Sequence, residues 1–565
     1  MNPGPEIERW GRPLLALAAM ALGGWLTSQA LAWAPPPVPR PGPAGVHTIV
    51  GTVRDAGGPL AEALVRVRAT ANKTTTAPDG SFTLGGLVPS VPVSVTAWTD
   101  GYVVGWTTAV PSPLPVTITL TKNYTTDDPD YTWFSVEGDT GSQSCGHCMP
   151  AYPEWQADAH SQSAVNARFL TMYNGTDVQD RRSPLTRYGH SPDYGRFPLP
   201  PDPTQPYYGP GYKLDFPGVA GNCASCHVPA AAARPGQAYA ADVSRISGIE
   251  TEGVFCEFCH KIGQVTLDPD TGRPYPNRPG VLSMRLYRPP PGQQLFFGQF
   301  DDVTRRVSRL PLVEQSAFCA PCHFGVFWDT VVYNSFGEWL DSPYSQPVGG
   351  RTCQSCHMPL AGYDYFVYPE QGGLRRDPGR IFSHRMPGAM DDQLLQNAVA
   401  MTTTAWLESA ALVVQVSITN DRTGHHVPTD SPLRHLILVV QATDALGKPL
   451  RQTDGPTVPE WGGVGDPAQG YYAGLPGKTF AKVLEELWTE VSPTGAYWNH
   501  TRLVSDNRLA ALATDTSLYT FAAPSSGRAV VEVRLLLRRA FKALMDQKGW
   551  DMPDRVMEEQ KLIVP

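Results

Sequence analysis

The ten cysteines of this chain fall into five C-x-x-C pairs, at 145/148, 223/226, 256/259, 319/322 and 353/356, with none left over. Four pairs are followed at once by histidine, at His227, His260, His323 and His357. Ten cysteines and thirteen histidines scattered over 565 residues would give about 0.004 such motifs by chance. The pattern therefore has a chemical cause. Zinc ribbons use paired cysteines but require no histidine after every second one. Disulfides suit an exported chain, yet leave the histidines unexplained. A redox dithiol calls for one pair in a βαβ setting, not five in coil. Covalent haem attachment accounts for every residue of the motif: two thiols add across the haem vinyl groups, and the adjacent imidazole lies under the iron as an axial ligand. Haem c is the expected cofactor at Cys223/Cys226, Cys256/Cys259, Cys319/Cys322 and Cys353/Cys356.

The remaining pair reads Cys145-Gly146-His147-Cys148-Met149, with methionine in the place of the proximal histidine. A thioether can ligate haem iron and raises its potential relative to histidine. The same cysteines could equally form a dithiol or a disulfide. Both readings stay open: a fifth haem with Met149 as ligand, or none.

Iron has a second axial position, and nine histidines remain after the four proximal ones. His47, His435 and His500 lie in β-patterned regions where a surface role is expected, and His147 belongs to the uncertain motif. His160, His190, His384 and the pair His425/His426 are left as distal candidates. Motif starts are spaced by 78, 33, 63 and 34 residues. The short intervals predict close haem pairs at 223/256 and at 319/353.

Composition supports this reading without sharpening it. Glycine (53) and proline (56) are abundant, which predicts many loops and little regular structure around the cysteines. The net charge of −8 disfavours a role built on nucleic-acid phosphates. Arg9 and Arg12 precede an apolar stretch from Pro13 to Leu26, with small-x-small sites ending at Ala30 and Ala34. Residues 1–34 thus read as a signal peptide or a membrane anchor, and either places the body outside the cytoplasm, in the periplasm, at the cell surface or beyond. Residues 35–46 form a Pro-rich linker. Alternating strands over 47–121, with a turn at Asp79-Gly80, predict a small β-sandwich. Residues 122–395 form a loop-rich multihaem segment with short helices. Residues 396–565 read as a C-terminal β domain with a helical tail.

Two resemblances add to this. Val50-Gly51-Thr52-Val53, Pro78-Asp79-Gly80-Ser81-Phe82 and Gly101-Tyr102 resemble a carboxypeptidase regulatory-like domain, which implies a transthyretin-like structural or adhesive module without peptidase activity. Cys145 to Pro150, followed by Tyr152, Trp155 and His160, resembles the opening of multihaem cytochromes related to the tetrahaem cytochrome c of nitrifying bacteria, although that family has histidine where Met149 stands. Cys353 to Pro359, Ser383-His384-Arg385 and Gly424 to Thr429 resemble later motifs of the group, with Asp430 where glycine is usual. The likeness covers roughly residues 130 to 540, including Asp506-Asn507-Arg508, and implies His160, His384 and His425 as distal ligands.

The expected function is electron transfer through closely spaced, mostly bis-histidine haems, with redox proteins as partners and no nucleic acid. Two alternatives stand beside it. One is a multihaem oxidoreductase acting on a small nitrogen or sulfur compound at the Cys145/Cys148/Met149 haem. The other is a subunit of an extracellular filament, or of a cell-surface or membrane-bound electron-transfer complex.

Overall fold

The computed structural model describes residues 47–565 apart from Glu137 and Ser526. The signal or anchor segment and the Pro-rich linker lie outside the described residues.

Two four-stranded sheets form the first β domain. In one, Ile49–Asp55 pairs with Gly58–Pro59 and Ser81–Leu84 and runs parallel to Ser112–Thr119. The other has the order Lys73–Thr75, Leu64–Val67, Val93–Trp98, Gly105–Ala109. Ile49, Val53, Val65, Phe82, Leu84 and Val95 close the core between them. Gly80 turns the hairpin with φ 76°, and a Cβ there would stand 2.6 Å from the Val53 carbonyl oxygen, so only glycine fits. Alternation alone would send Arg66 to solvent. It is buried instead, because the outer face of its strand is covered by the middle of the chain: Arg66 pairs with Asp301 at 2.9 Å, and Val104 N–H donates to the Val307 carbonyl at 2.9 Å.

From 122 to 395 the chain is loop, short hairpins and short helices; the longest helix, Ala167–Asn174, has eight residues. Its N-cap is Asn166, whose side chain accepts from the Arg168 and Phe169 amides, and it stops at Gly175 in a left-handed turn.

The C-terminal β domain stacks two sheets. One has the order Ala400–Glu408, Ala411–Thr419, Thr514–Ala522, Gln452–Asp454. The other runs Thr501–Asp506, Gly477–Glu486, His435–Asp444, Ala529–Arg538, Arg555–Val564. Inward residues Val414, Val416, Leu436, Leu438, Val533 and Leu535 fill the space between. The predicted helical tail is only the seven-residue helix Lys542–Lys548; the chain ends as an edge strand. Met557 and Val564 are buried while Val556, Lys561 and Ile563 are exposed, which suits a strand covered on one face.

This domain is clamped to the middle segment. The fully buried Lys548 ammonium donates to the carbonyls of Thr171, Thr176 and Pro210, at 3.1, 2.9 and 2.6 Å. Trp498 Nε1 donates to Asp215 at 2.6 Å. No helix among the described residues is long and apolar enough to cross a membrane.

Candidate haem-binding site

Each C-x-x-C motif is folded as one tight turn. The amides of His227, His260 and His323 donate back to the first cysteine's carbonyl at 3.1, 3.1 and 3.2 Å, and His357 closes the helix Cys353–His357. Met149 does the same, donating to the Cys145 carbonyl at 3.1 Å. The atypical motif thus has the backbone form of the other four, with its thioether at the proximal position. Met149 is half-buried, whereas His147 faces outward and contacts Asp139 at 2.8 Å.

Three of the four motif histidines face a second imidazole. His323 faces His160 with ring centres 6.2 Å apart, His260 faces His384 at 6.5 Å, and His357 faces His425 at 6.3 Å. These gaps are too wide for contact and too regular for accident. A metal bonded to one nitrogen of each ring at about 2 Å sets the ring centres about 6 Å apart. Among the described residues no three His, Cys, Asp or Glu side chains converge as a metal site; these imidazoles stand in facing twos.

Outer contacts fix the rings for that task. His260 Nδ1 donates to the Phe297 carbonyl at 2.5 Å, His357 to Pro387 at 2.7 Å, His425 to His426 at 2.9 Å and His227 to Ser163 at 3.1 Å. A carbonyl only accepts, so each Nδ1 carries the proton and each Nε2 is free for iron. His160 Nδ1 donates to the Asp158 carboxylate at 2.6 Å, which strengthens it as a donor. His384 Nδ1 lies toward the Phe382 carbonyl without a full hydrogen bond. Burial pulls His384 and His425 down to about 4 and lowers His227, His260 and His323, keeping these rings in the neutral, ligating form.

The ligand loops are themselves held by two carboxylates, the half-buried Glu154 and the buried Glu338. Glu154, on the helix after the Met149 motif, accepts from the His384 amide at 2.7 Å, Ser383 Oγ at 3.0 Å and Tyr363 at 2.9 Å. Glu338 accepts from Thr429 Oγ1 at 2.5 Å and the His426 amide at 3.2 Å, and pairs with Arg508 at 2.8 Å, locking the loop that carries His425. Asp158 stands two residues from His160 and was accessible to local reading. Glu154 and Glu338 act over distances no local pattern reveals.

Thiols of different motifs meet. Cys145 lies beside Cys256, Cys322 beside Cys226 and Cys319 beside Cys353. The motifs at 319 and 353 are neighbours, as their spacing predicts. The thiols of the motif at 223 lie beside those at 319 and the thiols of the motif at 256 beside those at 145, while Ala230, just after the first of these motifs, packs with Phe255 and Phe258 at the second.

His227 differs from its counterparts: Phe169 stacks on its ring at 3.8 Å and 3°. No second imidazole is in ring contact with it among the described residues. His190, one of the distal candidates, lies exposed on the hairpin Tyr188–Ser191/Gly195–Pro198 opposite Arg196. His435, expected at the surface, is 0% exposed and stacks on Phe541 within the C-terminal domain.

Ring orientation gives one spectroscopic expectation. The planes of His160 and His323 are inclined by 67°, against 30° for His260/His384 and 13° for His357/His425. Crossed imidazoles on one bound haem iron would leave its orbitals nearly degenerate, so one strongly anisotropic low-spin EPR signal is expected of the haem-loaded chain, and His160→Ala should abolish it while the signals from the other two facing pairs persist.

Residues 48–121 match the carboxypeptidase regulatory-like domain family. Among curated proteins none matches the chain by sequence. Among solved structures, the chain resembles a penta-haem cytochrome c552 from Thermochromatium tepidum with a TM-score of 0.50 and 18% identity, over 75% of this chain and 98% of that one. A structural-genomics target designated SoR45 aligns over 30% of this chain with a TM-score of 0.12 and 10% identity, too low to indicate shared architecture. The chain thus joins a carboxypeptidase regulatory-like domain to a body with the fold of a multihaem cytochrome c.

Proposed function

We propose that this chain is an exported c-type cytochrome carrying five haems, through which electrons pass between redox partner proteins. The observation that carries this reading is the set of facing imidazoles, each joining a C-x-x-C-H histidine to a distant one across a gap suited to one iron. Cys223/Cys226, Cys256/Cys259, Cys319/Cys322 and Cys353/Cys356 would hold four haems, and Cys145/Cys148 the fifth, with Met149 as its ligand. Bound haem supplies a one-electron couple whose potential depends on ligand identity, hydrogen bonding and burial. The chain's own residues fix spacing and ring orientation: the meeting thiols bring neighbouring attachment points together, and the Nδ1 hydrogen bonds hold each imidazole. The fourteen-residue apolar stretch from Pro13 to Leu26, behind Arg9 and Arg12, supports export. Alkaline pyridine spectra per mole of protein, with intact mass, test the reading. Five haems are expected; four would return Cys145/Cys148 to a dithiol or disulfide, and none would sink the proposal.

A second reading, reduction or oxidation of a small nitrogen or sulfur compound, is favoured by one observation: His227 alone among the four proximal histidines has no imidazole opposite. Groups able to exchange protons are gathered near that motif. Tyr333 and Tyr497 meet edge to face with ring centres 5.4 Å apart, burial raises both phenols, and Asp430 lies close to His227 and to both tyrosines. The open position is thus read at His227 rather than at Met149. One carbon monoxide bound per reduced chain is the expected result. None bound would leave electron transfer alone.

A further inference from the structure

One end of the C-terminal sandwich carries arginines that no carboxylate matches. His435 and Arg538 pair across neighbouring antiparallel strands, so Arg434 and Arg539, one step further along, stand opposite each other. Side chains alternate along a strand, which places both on the face of Leu436 and Leu537, the inner face of the sandwich. Both arginines are half-buried, and each has a buried Nε with no hydrogen-bond partner. Arg434 donates from Nη1 to the Thr429 carbonyl at 3.3 Å and lies 3.7 Å from Asp430. Among the described residues the Arg539 guanidinium meets only the Met390 thioether, a weak acceptor, and forms no ion pair. A third arginine, Arg168, lies over the Trp550 ring at 5.6 Å with its own Nε buried and unpartnered. Trp550 packs in one cluster with Leu433 and Ala540, the chain neighbours of Arg434 and Arg539. The acidic residues beside Met390 are already taken: Asp391 pairs with Arg385 at 3.3 Å and Asp392 with Arg555 at 3.0 Å. Buried donors left unused are costly unless an anion completes the site.

Two loops cover this end of the sandwich, and each holds one imidazole of the same facing pair. Thr429 and Asp430 close the loop of His425, whose Val427 enters the sandwich core. Met390 follows Pro387, whose carbonyl accepts from His357 Nδ1 at 2.7 Å, and Ala389 between them packs on that core. His357 and His425 are the rings 6.3 Å apart. Each arginine is therefore in contact with a loop that holds one ring of this pair.

We infer that Arg434 and Arg539 form a carboxylate clamp for the propionates of the haem at Cys353/Cys356, an inference that rests on the haem reading above. A guanidinium takes a carboxylate in two parallel hydrogen bonds, one of them from Nε, which a lysine ammonium cannot reproduce. The C-terminal domain then serves one haem twice, through the imidazole on its loop and through the arginines at its strand ends. Positive charge at the propionates favours the reduced state and raises that haem's potential.

The test uses the full haem-loaded chain and its variants Arg434→Gln, Arg539→Gln and Arg539→Lys. Peptide mass mapping establishes haem on Cys353 and Cys356; its absence there defeats the haem reading itself, and this inference with it, before any potential is measured. With haem present, spectropotentiometry should show one haem moved to lower potential in both glutamine variants and the rest unchanged. The redox-difference infrared band of a propionate carboxylate should shift in the same variants. Arg539→Lys should hold the potential, because the charge stays, yet shift the infrared band, because the fork is lost. Wild-type potentials should not respond when acetate replaces chloride at equal ionic strength. A response that the glutamine variants lose would put a free carboxylate in the site and overturn the propionate assignment. Haem present, with potentials and infrared band unmoved in both glutamine variants, overturns the clamp.

Discussion

Replacing Cys319 and Cys322 by alanine should cost this protein its fold as well as one haem. That motif is the junction of the set: its thiols meet Cys353 and Cys226, it lies near Cys259, and His323 faces His160. Ala320, within the motif, is 0% exposed. The segment has little regular structure of its own, so each porphyrin would serve as core for the loops around it. Losing the central one strips packing from three neighbours at once, and a loss of more than about 4 kcal/mol is expected, in the range that abolishes recovery of folded protein. Cys145→Ser with Cys148→Ser is the contrasting case, since Cys145 meets only Cys256. That variant should lose one haem and keep the rest. Haem per chain and thermal unfolding, measured on both, check the difference; equal mild losses would show that the haems do not share a core.

The second large effect is expected at Glu338, which touches no imidazole that faces a motif histidine and lies 3.8 Å from His426 Nδ1. It is 4% exposed, pairs with Arg508 at 2.8 Å and anchors Thr429 and the His426 amide. Glu338→Ala leaves a buried guanidinium with Asp506 alone, and breaking such a pair costs about 3–5 kcal/mol. The loop carrying His425 then loses its tether on one side, although Asn420 still donates to the His425 carbonyl at 2.8 Å. Spectra should therefore show a fraction of one haem turning high-spin, while Glu338→Gln, which keeps an acceptor for Thr429, should show less of both effects. An unchanged spin state in Glu338→Ala would remove the positioning role.

The features legible in the sequence were those enforced by local covalent chemistry. C-x-x-C-H is a complete attachment unit within five residues, so no knowledge of the fold is needed to read it. The distal partners were legible only in part. His160 and His384 follow chemistry-bearing neighbours, and His425 lies in a turn-forming run, but which ring faces which proximal histidine is set by loops tens to hundreds of residues long. His190 illustrates the difficulty: nothing in its neighbours distinguishes a ligand from a residue on an exposed hairpin. His435 erred in the opposite direction, because a histidine opening an apolar strand reads as a border residue until the covering Phe541 and Trp461 are seen. The burial of Arg66 was hidden for the same reason, since a strand's pattern reports one covered face and not a second domain against the other.

The loop holding His425 belongs to the C-terminal domain, whereas the motif it faces, Cys353 to His357, precedes that domain by more than forty residues. Chain order then becomes assembly order. On the proposed reading, thioether bonds at Cys353 and Cys356 would need only the five-residue motif, whereas the sixth coordination position there would wait for the later β domain that carries His425. A chain arrested before residue 400 would then carry that haem with an exposed, reactive iron, and folding of the β domain that follows would convert a chemically vulnerable intermediate into an inert conductor.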